Sequence, residues 1–217
     1  MLPKLVIWGA GGHAMVVADI IRLCRTYQIV GFLDDVNPTR NDIEFCGARI
    51  LGGSQELDNL RRMNIEHVII GVGDCEARLR LAELVRAKHL SLATAVHPQA
   101  IIASDVPIGQ GTIVAAGAVI NPGCTIGENT IINTCASIDH ECVIDDGVHI
   151  SPGVHLAGKV SVSRGAWVGI GAVVVDRVSI GAGALVGAGA VVVGDVPEKV
   201  LVHGVPARVI RKLATNG

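Results

Sequence analysis

From Ile102 to Val192, every sixth residue is Ile, Val or Leu, and sixteen consecutive positions obey this rule. Two residues before each of them stands a small side chain, from Ala100, Val106 and Thr112 to Ala184 and Ala190; only Ala, Val, Thr and Cys occur in that second column. A helix repeats its apolar face at spacings of three and four, so two columns locked to a period of six describe something else. They fit a short strand and a turn laid on successive faces of a prism, with the aliphatic column pointing inward. Glycine follows the aliphatic residue at positions 109, 127, 169, 181 and 187, where the turn is expected to need a backbone that branched residues resist. A narrow interior also accounts for an aromatic content of 2%: Trp8, Tyr27, Phe32, Phe45 and Trp167. With three hexads per coil the array makes roughly five coils. Its unbroken register predicts no large loop between Ile102 and Val192, so any site lies on the coil surface.

This array resembles the left-handed parallel β-helix of the hexapeptide acyltransferase superfamily; the handedness comes from that resemblance and not from the spacing. Residues 97–196 form that predicted domain and residues 197–217 a C-terminal tail. Residues 1–96 differ in character. Leu5 to Trp8, Ile29 to Leu33 and His67 to Val72 read as buried strands, alternating with helices over Gly12 to about Tyr27, Ser54 to Met63 and Cys75 to His89. Strands alternating with helices predict a parallel sheet with helices on its faces, and this length allows only half of a full dinucleotide-binding domain. The expected fold class is therefore an α/β half-Rossmann domain followed by a β-helix.

Composition excludes several functions. Few rings and a formal charge of −2 remove the stacking platforms and the basic footprint of a nucleic-acid binder. A mean hydropathy of +0.51 raises the question of a membrane. The uncharged window from Val106 to Gly127 is broken by Pro107, Pro122 and several glycines, and that from Val178 to Gly194 is too short to span. No basic segment precedes an apolar run at the N-terminus, so no signal peptide and a cytoplasmic protein are expected. Six cysteines without CxxC spacing read as small buried residues in a reducing compartment. Charge is uneven: residues 1–96 are neutral overall, residues 97–196 carry net −5, and the tail carries net +3 through Lys199, Arg208, Arg211 and Lys212 against Glu198. An acidic prism repels the phosphates of coenzyme A, which makes those terminal cations candidate partners for its 3′-phosphate; a solvated basic tail explains them equally well.

Two segments carry chemistry. Gly9-Ala10-Gly11-Gly12-His13-Ala14 follows a strand and opens a helix, fitting G-x-G-x-x-G/A, with Asp34 and Asp35 some twenty residues later. Its glycines let a phosphate approach free helix N–H groups. NAD with Asp34 on a ribose hydroxyl is the direct reading, and a ligand-free turn would look the same. A half-sized domain ahead of a repeat better suits a mononucleotide or a nucleotide carrying a sugar. The second segment is Asp139-His140-Glu141, with His149 and His155 nearby. Histidine serves as a general base near neutral pH, and an adjacent carboxylate fixes its tautomer. His140 follows an inward position by two residues and His149 precedes one by a single residue. Nine residues are half a coil, so the two imidazoles face different sides of one prism and share a site only across subunits, most simply in a homotrimer. His149 and His155, on successive faces, cannot chelate one ion, so no metal is expected. No GxSxG occurs.

Taken together, Gly9 to Ala14, Phe32-Leu33-Asp34-Asp35, Asn133, Ile138 to Cys142, His149-Ile150-Ser151, Ala157-Gly158 and Gly204-Val205-Pro206-Ala207 resemble the bacterial nucleotide-sugar N-acetyltransferases that act on 4-amino-4,6-dideoxyhexoses for surface glycans, relatives of the sialic acid O-acetyltransferases. The resemblance covers essentially the whole chain. It implies acetyl-CoA as co-substrate and direct transfer without an acetyl-enzyme. His140 would take the proton from the sugar amine and Glu141 would orient it. His149, Gly158, Gly169, Ile170 and Arg208 would contact acetyl-CoA, with the Gly158 N–H polarising the thioester carbonyl. Gly9, Gly11, Gly12, His13, Asp34, Asp35 and Asn133 would hold the nucleotide sugar. O-acetylation of a sialic acid by the same machinery, a non-catalytic nucleotide-sugar scaffold and an NAD-linked role remain as alternatives.

Overall fold

The computed structural model describes residues 2–214, which fall into two compact units that part between Pro98 and Gln99. In the first unit, β1 (Lys4–Trp8), β2 (Gln28–Leu33), β3 (Glu44–Phe45), β4 (Ala48–Gly52), β5 (His67–Ile70) and β6 (Ser91–Leu92) form one sheet in the order β3-β4-β2-β1-β5-β6. All neighbours are parallel except β3 and β4. The central strand β1 is buried from Leu5 to Trp8, the continuous apolar run of a strand covered on both faces. Val6 and Trp8 pack with Leu33, Val68, Ile70 and Val85 in one core.

The helices are α1 (Gly12–Cys24), α2 (Leu57–Arg62) and α3 (Cys75–Ala87). Helix α1 ends three residues short of Tyr27, because Arg25 turns left-handed at φ 53° and closes its N–H on the Ile21 carbonyl. Ahead of α2, Ser54–Glu56 form a tight 3₁₀ turn where one continuous helix was expected. The β3–β4 hairpin was not foreseen. Its turn is Cys46-Gly47, both with positive φ, the type I′ geometry that suits the twist of two strands; the strands are too short to show a period.

The second unit is a left-handed parallel β-helix. Each rung is a two-residue strand paired in register with the strand eighteen residues on. Ser137 pairs with His155 and Ile138 with Leu156 on one face, Ile131 with His149 and His149 with Trp167 on a second, and Val143 with Ser161 on the third. The inward aliphatic column is buried from Val114 to Val192, while Ile102 and Ile108 at its start are half-buried. Fourteen positions six apart, from Gly111 to Gly189, turn the corners with positive φ; nine are glycine, and the others are Asn129, Cys135, Glu141, Lys159 and Arg177.

The glycines that follow the aliphatic column serve a different need from the one expected. They do not have positive φ. A Cβ on Gly109 would lie 2.4 Å from the Gly127 carbonyl carbon, and one on Gly127 would lie 2.7 Å from the Asp145 carbonyl carbon and Asp146 nitrogen. Room for the next coil, not backbone conformation, selects glycine there.

The segment read as a tail is partly ordered into the helix. Val200–Gly204 extends the rung of Leu185 in parallel, and Ala207–Lys212 folds back on it antiparallel; residues 215–217 lie outside the described residues. The cysteines correct another expectation. Cys75, Cys124 and Cys142 are buried, but Cys24 and Cys46 are half-buried and Cys135, at an outward corner, is exposed; all six are free thiols. Burial pushes the Cys142 thiol up to about 11. No helix among the described residues is long and apolar enough to cross a membrane.

Candidate active site

In the first unit the strand-to-helix turn opens a cleft of about 680 Å³ that gathers Gly9, Gly11, Gly12, His13, Asp34 and Asp35. Gly9 is required twice over: its φ is +127°, and a Cβ there would lie 2.7 Å from the Gly71 carbonyl oxygen. Around Gly11 and Gly12 nothing lies within 4 Å of such an atom, so the loop is open to a ligand. Helix α1 has no side-chain cap and no acidic residue in its first turn, which leaves its positive end available to an anion.

The two aspartates are held by the protein itself. Asp34, 7% exposed, accepts from the backbone N–H groups of Val36 and Asn37, and its other oxygen pairs with Arg40 at 3.2 Å. Arg40 also donates to the Ala10 carbonyl at 2.9 Å, tying the glycine loop to Asp34. Asp35 accepts from the Trp8 indole at 2.7 Å and from Ser54 N at 2.6 Å. Arg78 does not line the cleft but is fully buried and donates to the carbonyls of Val72 and Gly73, which do. Burial, and then the charge of Arg78, lower the pKa of His13 to about 4, so this imidazole is neutral at physiological pH. Trp8, Arg40 and Arg78 were not singled out from sequence; Trp8 directly precedes the glycine loop, but no spacing links Arg40 or Arg78 to it.

In the β-helix His140 and Glu141 form a corner between two faces, after the Ser137–Ile138 rung and before Val143–Ile144. His140 Nδ1 lies 3.0 Å from Glu141 Oε2, and Lys159 Nζ lies 3.4 Å from the same oxygen. The His140 contact first, then Lys159, hold the Glu141 carboxyl below its usual range. A carboxylate beside Nδ1 keeps the proton on that nitrogen and leaves Nε2 with its lone pair. Gly158 sits one coil above: a Cβ there would lie 2.7 Å from His140 Cε1 and Nε2. Only glycine leaves space for this ring. The Gly158 carbonyl accepts from Arg177 N, whereas its N–H makes no hydrogen bond among the described residues. Lys159 was missed from sequence, although it follows Glu141 by one full coil.

His149 lies on a different face. The residue is 6% exposed; its ring stacks on Trp167 with centroids 5.0 Å apart and accepts a hydrogen bond from Asn133 Nδ2 at 3.2 Å. Gly169 and the exposed Ile170 follow Trp167 at the next corner. Asn133 is thus the hydrogen-bond partner of His149 on this face. Arg208 stands apart on the terminal hairpin, donating to the Ala207 carbonyl. Within one chain the structure brings together His140, Glu141 and Gly158 at one corner, and Asn133 and His149 on another face. No cluster of three or more His, Cys, Asp or Glu side chains among the described residues is arranged to hold a metal.

Residues 4–85 match the family model described as the PglD N-terminal domain. A stretch of 118 residues is 36% identical to a UDP-N-acetylbacillosamine N-acetyltransferase of Bacillus subtilis (strain 168), and this alignment covers 53% of the chain and 52% of that protein; the chain thus spans about half the length of this curated relative. Solved structures align over nearly the whole chain. A variant of perosamine N-acetyltransferase from Caulobacter crescentus, in complex with CoA and GDP-perosamine, is 38% identical, with a TM-score of 0.92 over 98% of this chain and 99% of that one. The acetyltransferase domain of PglB from Neisseria gonorrhoeae FA1090, in complex with acetyl coenzyme A, is 35% identical, with a TM-score of 0.89 over 97% and 100%.

Proposed function

Because the chain belongs to the family of nucleotide-sugar N-acetyltransferases that these relatives represent, we propose that it transfers the acetyl group of acetyl-CoA to the amine of a nucleotide-linked 4-amino-4,6-dideoxyhexose. The observation that carries this reading is the His140 corner: Glu141 on Nδ1, and the Nε2 edge of the ring over Gly158. In this reading the sugar amine attacks the thioester carbonyl carbon, a C–N bond forms and the C–S bond breaks. The proton leaves the nitrogen for His140 Nε2, and the electron pair of the broken bond leaves on the coenzyme A sulfur. Glu141 stabilises the imidazolium formed, and Lys159 holds Glu141 in place. The Gly158 N–H faces the developing oxyanion, a role in which one donor typically contributes ~2.7–4 kcal/mol.

The cleft of the first unit holds the nucleotide, with phosphate at the open end of α1 and Arg40 within reach. His149, Gly169, Ile170 and Arg208 serve acetyl-CoA. His140 and His149 occupy different sides of one prism, which supports a homotrimer whose sites combine faces of two subunits. The reaction takes place in the cytoplasm, where acetyl-CoA is available, and feeds a surface glycan.

The test is to incubate the protein and acetyl-CoA with a panel of nucleotide amino sugars, beginning with GDP-perosamine, together with free sialic acids. Products are read by mass spectrometry and thiol release. Acetylation of the amine of a nucleotide amino sugar is expected. Acetylation of hydroxyl acceptors alone, or thiol release independent of an amino sugar, would overturn the reading.

A further inference from the structure

The small column that accompanies the inward aliphatic residues contains four side chains with a hydrogen to donate: Thr112, Cys124, Thr130 and Cys142. All four use it in one way. Thr112 donates to the Gly127 carbonyl at 2.7 Å, Cys124 to that of Asp139 at 2.9 Å, Thr130 to that of Asp145 at 3.0 Å and Cys142 to that of Ala157 at 3.2 Å. The acceptor always lies 15 residues on, directly after an inward residue of the next coil. For Cys142 this has a consequence of its own, because the Ala157 carbonyl belongs to the same peptide group as the Gly158 N–H.

The peptide groups on either side are tied by the main chain. The Ala157 N–H donates to the Val174 carbonyl at 3.0 Å, and the Lys159 N–H to the His140 carbonyl at 2.9 Å. The group between them has no such bond: among the described residues its carbonyl accepts only from the Cys142 thiol. Glycine at one end lets this group rotate at little steric cost, so the side-chain anchor decides its orientation. In a planar trans peptide the N–H points opposite to the carbonyl. An oxygen held on the fully buried Cys142 sulfur therefore turns the Gly158 N–H away from that sulfur. A hydrogen bond accepted at the carbonyl also polarises the N–H of the same group. Because burial raises the thiol to about 11, the sulfur keeps its proton at neutral pH.

We infer that Cys142 is a positioning residue for acetyl transfer: its thiol holds the Ala157–Gly158 peptide group so that the Gly158 N–H is presented to the thioester oxygen. The inference rests on the activity proposed above. Being fully buried, Cys142 acts through that peptide group and not by contact with a substrate. The column does not need a donor in order to fold, since Val fills it, buried, at positions 148, 154, 160 and 178.

The experiment compares wild type with Cys142→Thr, which keeps a donor of the kind Thr112 and Thr130 supply, and with Cys142→Val, which has the same shape and no donor. Thr130→Val removes the equivalent bond at a corner without the base and serves as the control. Cys142→Val should lower kcat about tenfold, part of the loss that follows from deleting an oxyanion donor outright. KM for the nucleotide sugar and the apparent pKa of the base should stay at wild-type values. So should inhibition by free coenzyme A, which has no acyl carbonyl. Cys142→Thr and Thr130→Val should both turn over like the wild type. Wild-type kcat in Cys142→Val, an equal loss in the Thr and Val variants, or a similar loss in Thr130→Val would overturn the inference. The orientation is also read without turnover. In crystal structures the Ala157 carbonyl should keep its direction in Cys142→Thr and swing away in Cys142→Val; an unmoved carbonyl in the Val variant would overturn the inference as well. A wild type that acetylates no nucleotide amino sugar would sink the underlying activity instead, and the wild-type assay alone reads that outcome.

Discussion

His140 presents one free nitrogen because Glu141 occupies the other, and Gly158 gives the ring its space. His140→Ala should lower kcat by roughly 10²–10⁴-fold, the usual range for a positioned proton transfer. Its affinity for acetyl-CoA and its assembly should stay close to wild type, because residue 140 lies outside the inward column; turnover near wild type would mean that the amine arrives already neutral. Gly158→Ala tests the geometry rather than the group. The added methyl overlaps the imidazole tip, not backbone, so the ring swings away: kcat should fall while the melting temperature holds, and a crystal structure of the variant would show a new His140 rotamer. His13 predicts a pH effect on stability. Its folded pKa of about 4 lies below the ordinary 6.5, so between those values the unfolded chain takes up a proton that the folded chain refuses. Stability is therefore complete above pH 6.5 and lost as pH falls towards 4, by about 3 kcal/mol in all. Hydrogen exchange of the β1 amides should show the wild type losing more stability between pH 7.5 and 5 than His13→Gln. Equal losses in the two proteins would exclude the buried neutral histidine as the cause.

Rungs of the β-helix make residues eighteen apart into neighbours, as four-residue spacing does on an α-helix. Asn121 with Asp139, Ser137 with His155, Glu141 with Lys159, Arg164 with Asp146 and Ser161 with Ser179 all follow this rule. The spacing was available in the sequence, and it would have found Lys159 and the Ser137–His155 pair. Two kinds of glycine separate on the same element. Gly127→Ala drives a methyl into the backbone of the next coil and should cost about 1–3 kcal/mol through forced displacement. Gly153→Ala meets nothing within 4 Å but keeps a φ of +64°, a cost of roughly 1–2 kcal/mol confined to one turn. Thermal unfolding should show cooperativity weakened by the first and unaffected by the second. Ile138→Asp places a charge in the prism interior, and the expected outcome is insoluble protein; a soluble, folded variant would contradict the inward assignment.

For the whole molecule, the proposed homotrimer predicts that function depends on assembly, because His140 and His149 lie on different sides of one prism. Co-expressing His140→Ala with His149→Ala should restore activity in mixed oligomers that neither variant has alone, since some interfaces then pair an intact His140 with an intact His149. No recovery would show that each chain builds its site from its own residues. Much of this molecule was open to sequence reading for one physical reason: in a coil of constant length, tertiary neighbours stand at a constant separation, so the inward column, the prism and the opposed histidines follow from counting. The glycine loop of the first unit was equally legible, because a strand, a tight turn and a helix start are local events. Asp34 and Asp35 line the same cleft as the glycine loop, but the sequence could not say that Arg40, Trp8 and Ser54 would occupy their oxygens, nor that Arg78 would be buried close to His13. Those partners lie at no fixed spacing, and their meeting depends on how the strands order in the sheet and which rotamers the packing allows. The same holds for His149 against Trp167. The sequence by itself determined the repeat, the two-unit plan and the chemistry-bearing segments; only the tertiary structure decided which side chain holds which, because hydrogen bonds and ring contacts are settled by angstroms and not by periods.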